Sequence, residues 1–393
     1  MMRYGGATFK KRGLVLPLAV TLGLAGPAQA LTFSDLYKSS VDQINRQIYK
    51  AIGSLRICAA NEVKPWLVND VMPAFRETEK AVVIGEGDLV FDGSGELADH
   101  WNNGNTDKCD VIVLGSDVSA LRAADFERTK AVSLAYTPTL FVGVKEKLAV
   151  AREFLKKQPT DPLSCADLAQ VAKKGRMSRI KQGGVGKLAV EMSTSNSGQT
   201  AYVSCVYSEL NAESAKEVEA ALDGAEGEKR QAALREVMTT IIFEQQSSAK
   251  VKDLFVSGEG QGVGAAHLAI ATYESYLPEI SKAAAVANVE LEMIYPAISI
   301  LNNFPGFVIA KDGTAAADSA KAFLQTALSA RIQQRLAKYG LRPAVAGIPL
   351  APYMNAKIEV GDSPRNRKDL RKVWDVVGRI DQIRAAGTLD FPQ

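Results

Sequence analysis

Histidine is nearly missing from this sequence, with only His100 and His267 in 393 residues. Cysteine is scarce too: Cys58, Cys109, Cys165 and Cys205 are the whole set, and no two form a C-x-x-C pair. So few nitrogen and sulfur donors, so spaced, argue against a structural zinc site. No metal and no cofactor are expected. Beyond the N-terminal region no 18 consecutive residues are apolar, so no membrane-spanning helix is expected there. The catalytic signatures are incomplete as well. Gly183 to Lys187 approaches a P-loop, but Lys181 stands in place of its first glycine and Leu188 in place of its Ser or Thr. Gly258, Gly260 and Gly262 do not complete G-x-G-x-x-G, because Val263 and Ala265 fall at the two third positions. Neither Ser94 nor Ser197 sits in G-x-S-x-G. His267, on an apolar approach to a strand, reads as a packed residue, which leaves few candidates for a Ser–His or Cys–His dyad. The sequence does not read as an enzyme.

The N-terminus carries an address. Arg3, Lys10, Lys11 and Arg12 precede an apolar run from Leu14 to Ala25, and Ala28-Gln29-Ala30 is a small-x-small cleavage pattern. A helix of about 12 residues spans roughly 18 Å, well short of the ~30 Å hydrocarbon core. Residues 1–30 therefore read as a signal peptide, with the mature chain starting at Leu31 in the periplasm. No cysteine lies at the cleavage point to carry a lipid anchor. Losing four cations turns the stated net charge of +3 into about −1. A nearly neutral chain has no long-range attraction to nucleic acid or anionic lipid, and no nucleic-acid partner is expected. In an oxidising compartment disulfides persist, and four cysteines allow three connectivities.

Periodicity sets the order of elements. A lead helix over residues 31–54 is followed by a strand from Leu55 to Ala60 and a helix that opens near Pro65 and reaches Glu77. Ala81 to Ile84 and Leu89 to Phe91 read as a second strand region, then comes a helix through Trp101, then the buried strand Val111 to Leu114. Short connections between alternating strands and helices point to parallel sheet. A long extended stretch covers Ala131 to Lys145. A second α/β unit follows: a helix from Cys165 to Lys174, a strand from Lys187 to Met192, and a loop and helix from Ser193 to Leu210. The charged stretch 211–252 shows two helical patterns with a break at Gly224 to Gly227, a solvated face. Leu268 to Thr272 and Phe307 to Ala310 read as strands, and a helix from Ala315 to Tyr339 stops at Gly340.

Polar residues collect where strands give way to helices: Asn61-Glu62, Gly93-Ser94-Gly95, Ser116-Asp117, Ser195 to Thr200, and Tyr273-Glu274. Ligands of open α/β sheets bind outside the carboxyl ends of the strands, and helix N-termini present free N–H groups. Each tip alone also suits a plain N-cap.

The stretches 55–75, 93–121, 194–202, 268–275 and 304–343 together resemble the bacterial extracellular solute-binding proteins of the type II periplasmic fold, the group that includes molybdate- and sulfate-binding components of ABC transporters. The resemblance implies a two-lobed α/β clamp, each lobe a mostly parallel sheet flanked by helices, with the lead helix as an addition. Residues 31–140 and 305–393 would form one lobe and 141–304 the other. The first crossing would lie near Tyr136 to Gly143 and the return near Phe304 to Ala310. A monomer is implied that takes a small molecule or ion in the interlobe cleft and delivers it to a membrane permease. The residues carried over as ligand-binding are Asn61, Ser94, Ser116, Ser197, Tyr273 and Glu274, joined by Ser195 and Thr200 of the same loop. Unpaired carboxylates at Glu62, Asp117 and Glu274 would repel an oxyanion, so a polar, zwitterionic or cationic ligand stands beside an anionic one. Pairing Cys58 with Cys109 and Cys165 with Cys205 keeps each bond inside one lobe and leaves the hinge free. The alternative function is an exported sensing or protein-interaction clamp that docks through the lead helix or the charged stretch.

Overall fold

The computed structural model describes residues 55–79, 82, 84–102, 109–116, 131–177, 187–191, 196–212, 215–240, 242–245 and 248–354. The expected signal peptide, the lead helix, Asp117, Ser195 and the tail past residue 354 lie outside the described residues.

The first strands are β1 (Ile57–Ala60), β2 (Leu89–Asp92) and β3 (Val111–Val113); β1 pairs parallel with both neighbours. Alternation sends Ile57, Ala59, Val111 and Val113 to one face. There they pack with Trp66, Phe75 and Phe323 from helical segments 61–78 and Ala315–Leu328. Cys58 and Ile112 point to the other face, against Leu97, Trp101 and Phe307. Helices cover both sides, so these strands are apolar throughout rather than alternating.

The long strand β4 (Val132–Val144) belongs to both ends of the sheet. Its residues 132–138 pair antiparallel with β9 (Leu301–Val308), which in turn pairs antiparallel with β3. Its residues 139–144 pair with β7 (His267–Tyr273) and β8 (Leu291–Ile294). Beyond β7 come β5 (Lys187–Glu191) and β6 (Ile242–Gln245), all parallel. The sheet order is therefore β2-β1-β3-β9-β4-β7-β5-β6, with the short β10 (Arg342–Pro343) also on β4. Phe307 lies in the same hydrogen-bonded run of strands as Ile57. In the second half, Phe141, Leu188 and Leu268 pack under helices Cys165–Met177 and Asn196–Leu210. Leu140, Val142 and Ile270 pack against helices Ser248–Ser257 and Leu277–Val286 on the opposite face.

Several expectations are corrected. Val82 and Ile84 are coil, so the second strand is Leu89–Asp92 alone. The return strand begins at Leu301, and Ile309 and Ala310 are outside it. Helix Lys145–Phe154, helix Leu277–Val286 and β8 were not anticipated. The charged stretch is not helical throughout, since β6 closes it. Helix Ala315–Leu328 is interrupted by an extended Ser329 and resumes as two short turns up to Gly340. Gly340 has a φ of 68°, and a Cβ there would meet the Glu274 carbonyl at 2.5 Å. Only glycine suits both demands. The segment after β1 also contains a π-helical turn, Leu67–Val71, just before Pro73. Proline supplies no N–H to continue the α ladder, and the wider turn absorbs the gap.

The four cysteines form Cys58–Cys109 and Cys165–Cys205, with Cα separations of 5.7 and 5.6 Å, within the range a disulfide allows. His267 is buried at the start of β7 near the ring of Phe255. Gly258 to Gly262 form a turn with several positive φ angles rather than a phosphate loop. The Gly183–Gly186 segment lies outside the described residues.

Candidate functional site at the strand crossing

Adjacent parallel strands put the first group of tips side by side. Ser94 opens helix Ser94–Asn102 after β2, and its buried Oγ accepts the Gly115 N–H at 2.8 Å. A Cβ on Gly115 would stand 2.4 Å from that oxygen, so glycine permits the contact. Ser116 follows, buried beside it. Asn61 is exposed just past the end of β1. The structure thus brings Ser94, Gly115, Ser116 and the end of β1 together. Ser94 thereby ties the tips of β2 and β3 to each other.

On the other side, Ser197 lies in the first turn of helix Asn196–Leu210. Thr200, one turn on, is buried and hydrogen-bonded to Thr139 of β4, Oγ1 to Oγ1 at 3.1 Å. The Asn302 amide of β9 donates to the same Thr139 oxygen at 3.1 Å. Two residues earlier on the same face of β4, Thr137 Oγ1 accepts the Ser275 N–H at 3.1 Å. Register explains the grouping: Thr137 sits opposite Asn302, and Thr139 opposite Tyr273. Polar side chains from four segments therefore meet where β4 passes from one half of the sheet to the other. Two of their atoms, Ser275 Oγ and Asn302 Oδ1, are buried without a hydrogen-bond partner among the described residues. An unmet buried polar atom costs about 1–3 kcal/mol.

Above this crossing, Glu62 meets the second half of the sheet. Ser248, at the start of the helix after β6, donates to Glu62 Oε1 at 3.3 Å and lies 3.4 Å from the Tyr276 hydroxyl. Glu62 is half-buried. Burial raises its pKa, outweighing the lowering from its own backbone N–H and Ser248.

Glu274 and Tyr273 stand at the end of β7. Tyr273 is buried. Glu274 is paired with Arg342: Nε donates to Oε2 at 2.6 Å and Nη2 to Oε1 at 2.8 Å. The Tyr295 hydroxyl adds a bond of 2.6 Å. Both members of the ion pair are 0% exposed. Burial, with the charge of Glu274 second, pushes the Tyr353 phenol up to about 12. The carboxylate is thus compensated by a bidentate guanidinium.

Thr137, Thr139, Ser275, Asn302, Ser248 and Tyr276 were not among the site residues expected from sequence. The available signal was a run of hydroxyls, Tyr136-Thr137-Pro138-Thr139, inside an otherwise apolar strand, and the Asn302-Asn303 pair on the return.

Comparisons with known proteins bear on the family and the fold. The family model described as bacterial extracellular solute-binding protein matches residues 55–342. Among solved structures, the sulfate-binding protein SubI from Mycobacterium tuberculosis H37Rv is 15% identical, with a TM-score of 0.51 over 75% of this chain and 88% of that one. The Trichodesmium protein IdiA (FutA), in complex with iron and citrate ligands, is 13% identical, with a TM-score of 0.54 over 86% and 99%. The ferric binding protein from Campylobacter jejuni is 12% identical, with a TM-score of 0.53 over 85% and 99%. At these identities the likeness concerns the fold, the type II periplasmic-binding-protein arrangement of the strands described above. A search of curated proteins found no match.

Proposed function

This chain belongs to the bacterial extracellular solute-binding proteins, and from that premise we propose a periplasmic receptor. It captures a small polar or anionic solute in a cleft over the strand crossing and delivers it to an ABC-type permease. Residues 1–30 direct export. Residues 31–140 with 305–393 form one lobe and 141–304 the other, and β4 and β9 serve as the hinge strands. The contacts come from Asn61, Ser94 and Ser116 on one side and from Ser195, Ser197, Thr200 and Tyr273 on the other. Ser275 and Asn302 lie beneath them. Glu274 serves by holding Arg342 and the hinge rather than by touching the solute.

One observation carries this reading: Ser275 Oγ and Asn302 Oδ1 are buried at the crossing with no hydrogen-bond partner among the described residues. A bound solute supplies what they lack. Charge narrows the class. Arg342 neutralises Glu274, and burial favours the uncharged form of Glu62. Glu274 is thereby removed as a source of repulsion for an anion. The ligands that proteins of similar fold are named for, sulfate and iron, differ too much to choose among solutes.

The test is a thermal-shift screen of the mature chain against inorganic anions, amino acids, sugars and metal salts. A ligand at 100 times its Kd stabilises the native state by about 2.7 kcal/mol. The expected result is a rise in melting temperature confined to one solute class and lost in Ser275→Leu. No shift with any solute, or a full shift in Ser275→Leu, contradicts the proposal. An uptake defect in a deletion strain separates transport from sensing.

A further inference from the structure

A second concavity lies away from the strand crossing, and none of its residues belongs to the cluster there. Three helices enclose about 450 Å³ of space: Cys165–Met177, the end of Asn196–Leu210, and Gly224–Thr240. That volume falls within the ~300–1,000 Å³ common for small-molecule sites. The floor is apolar, formed by Ala169, Leu210, Leu234 and Val237. The rim is exposed and polar.

Two walls are fixed covalently. The Cys165–Cys205 disulfide joins the start of one helix to the other, one turn before Glu209. Glu209 then accepts the Ala166 N–H at 2.9 Å, which occupies one of its oxygens. The third wall is held across the mouth by Lys173 and Glu236, paired at 2.7 Å. Arg230 is different. Its guanidinium donates to the Ala221 carbonyl at 3.3 Å, and among the described residues no carboxylate pairs with it. Glu209 is offset by the N-terminal end of helix Cys165–Met177, whose Ala166 N–H it accepts, and the mouth presents the Arg230 guanidinium above an apolar floor.

We propose that this cavity is a second ligand site, for a small amphipathic anion. Its unbranched apolar tail lies on Leu210, Leu234 and Val237, and its acidic head meets Arg230. The volumes match: at roughly 30 Å³ per heavy atom, as in a liquid, a ten-carbon carboxylate fills about 360 Å³. The site is independent of the solute cleft and stands or falls without it.

Calorimetric titration of the mature protein with decanoate, below its micelle-forming concentration, tests the proposal. Decyltrimethylammonium, with the same tail and the opposite charge, is the control. Saturable decanoate binding is expected, with the cation at least about tenfold weaker. Arg230→Gln should weaken decanoate by about three- to fivefold, the worth of an exposed charge pair. Ala233→Trp, at an exposed position of the lining, should abolish binding without changing the fold. Gln170→Trp repeats the block from the opposite wall if the first variant melts early. Absence of saturable heat, equal binding of both surfactants, or binding unchanged by both tryptophans would overturn the proposal.

Discussion

The two halves of the sheet repeat one plan. In the first, the order is β2-β1-β3 with antiparallel β9 at the inner edge; in the second, it is β6-β5-β7 with antiparallel β4. Each half places its first strand between its second and third, as right-handed parallel crossovers permit. Each carries one disulfide. The halves differ in what lies between strands. The first half ties its tips by the Ser94–Gly115 bond. The second half inserts helices Ala215–Ala221 and Gly224–Thr240 before β6 and gains a cavity. Strand order follows from handedness and closure, whereas the connections are free to acquire sites.

The comparison can be broken most severely at the place where the halves are joined. Arg342→Met leaves Glu274 buried without its guanidinium. The expected loss is about 3–5 kcal/mol, because a lone buried charge cannot be solvated. Adding Glu274→Gln should restore part of it, and a double-mutant cycle by urea unfolding measures the coupling. If Arg342→Met costs less than the Ser94→Ala change below, the ion pair does not hold the hinge.

Next come the disulfides. Their sequence separations of 51 and 40 differ so little that loop entropy distinguishes them by only about 0.2 kcal/mol. Replacing each pair by serines should cost about 2–4 kcal/mol in both halves. Unequal losses in chemical denaturation would show that the halves are not equivalent in their unfolded constraints.

Ser94→Ala is expected to be milder, about 1–2 kcal/mol, since it orphans the buried Gly115 N–H. Solute affinity should fall with it, because the tips of β2 and β3 lose their tie. Loss of stability with unaltered affinity would confine Ser94 to the fold.

The smallest effect is a pH dependence. The folded pKa of Glu62 lies above its ordinary value because of burial. The folded chain therefore holds this proton more tightly than the unfolded chain. That contribution is complete below the ordinary glutamate value of about 4.3 and is lost as pH rises through the raised folded value. Glu62→Gln should flatten this part of the stability profile and stabilise the protein above it. An unchanged profile would show the carboxyl to be hydrated.

Most strands were legible because their signal is local. Cys58 and Val111 to Val113 sit in apolar runs bounded by turn residues, and Gly340 marks its helix end by composition alone. The misses have physical causes. Ser329 breaks a helix that its periodicity continues, since Ile332 and Leu336 must still reach the core beneath Phe323. β6 is a short apolar run inside a charged stretch and needs β5 as a partner before it is a strand. The nearness of Ser94 and Ser116 was legible because strand tips lie side by side in a parallel sheet. That of Asn302 and Thr139 was not, because their meeting depends on the register of two strands far apart in sequence. The pairing of Glu274 with Arg342 was hidden for the same reason.

The proposed receptor closes its two halves over the strand crossing when solute binds. Spin labels at exposed Lys64 and Lys250 flank the Glu62–Ser248 contact from opposite halves. Placed as unnatural amino acids, they leave both disulfides intact. Distances between them should be long and broadly distributed without solute. They should collapse to one short population when the solute found by the screen is saturating. The same distribution in both conditions would contradict closure.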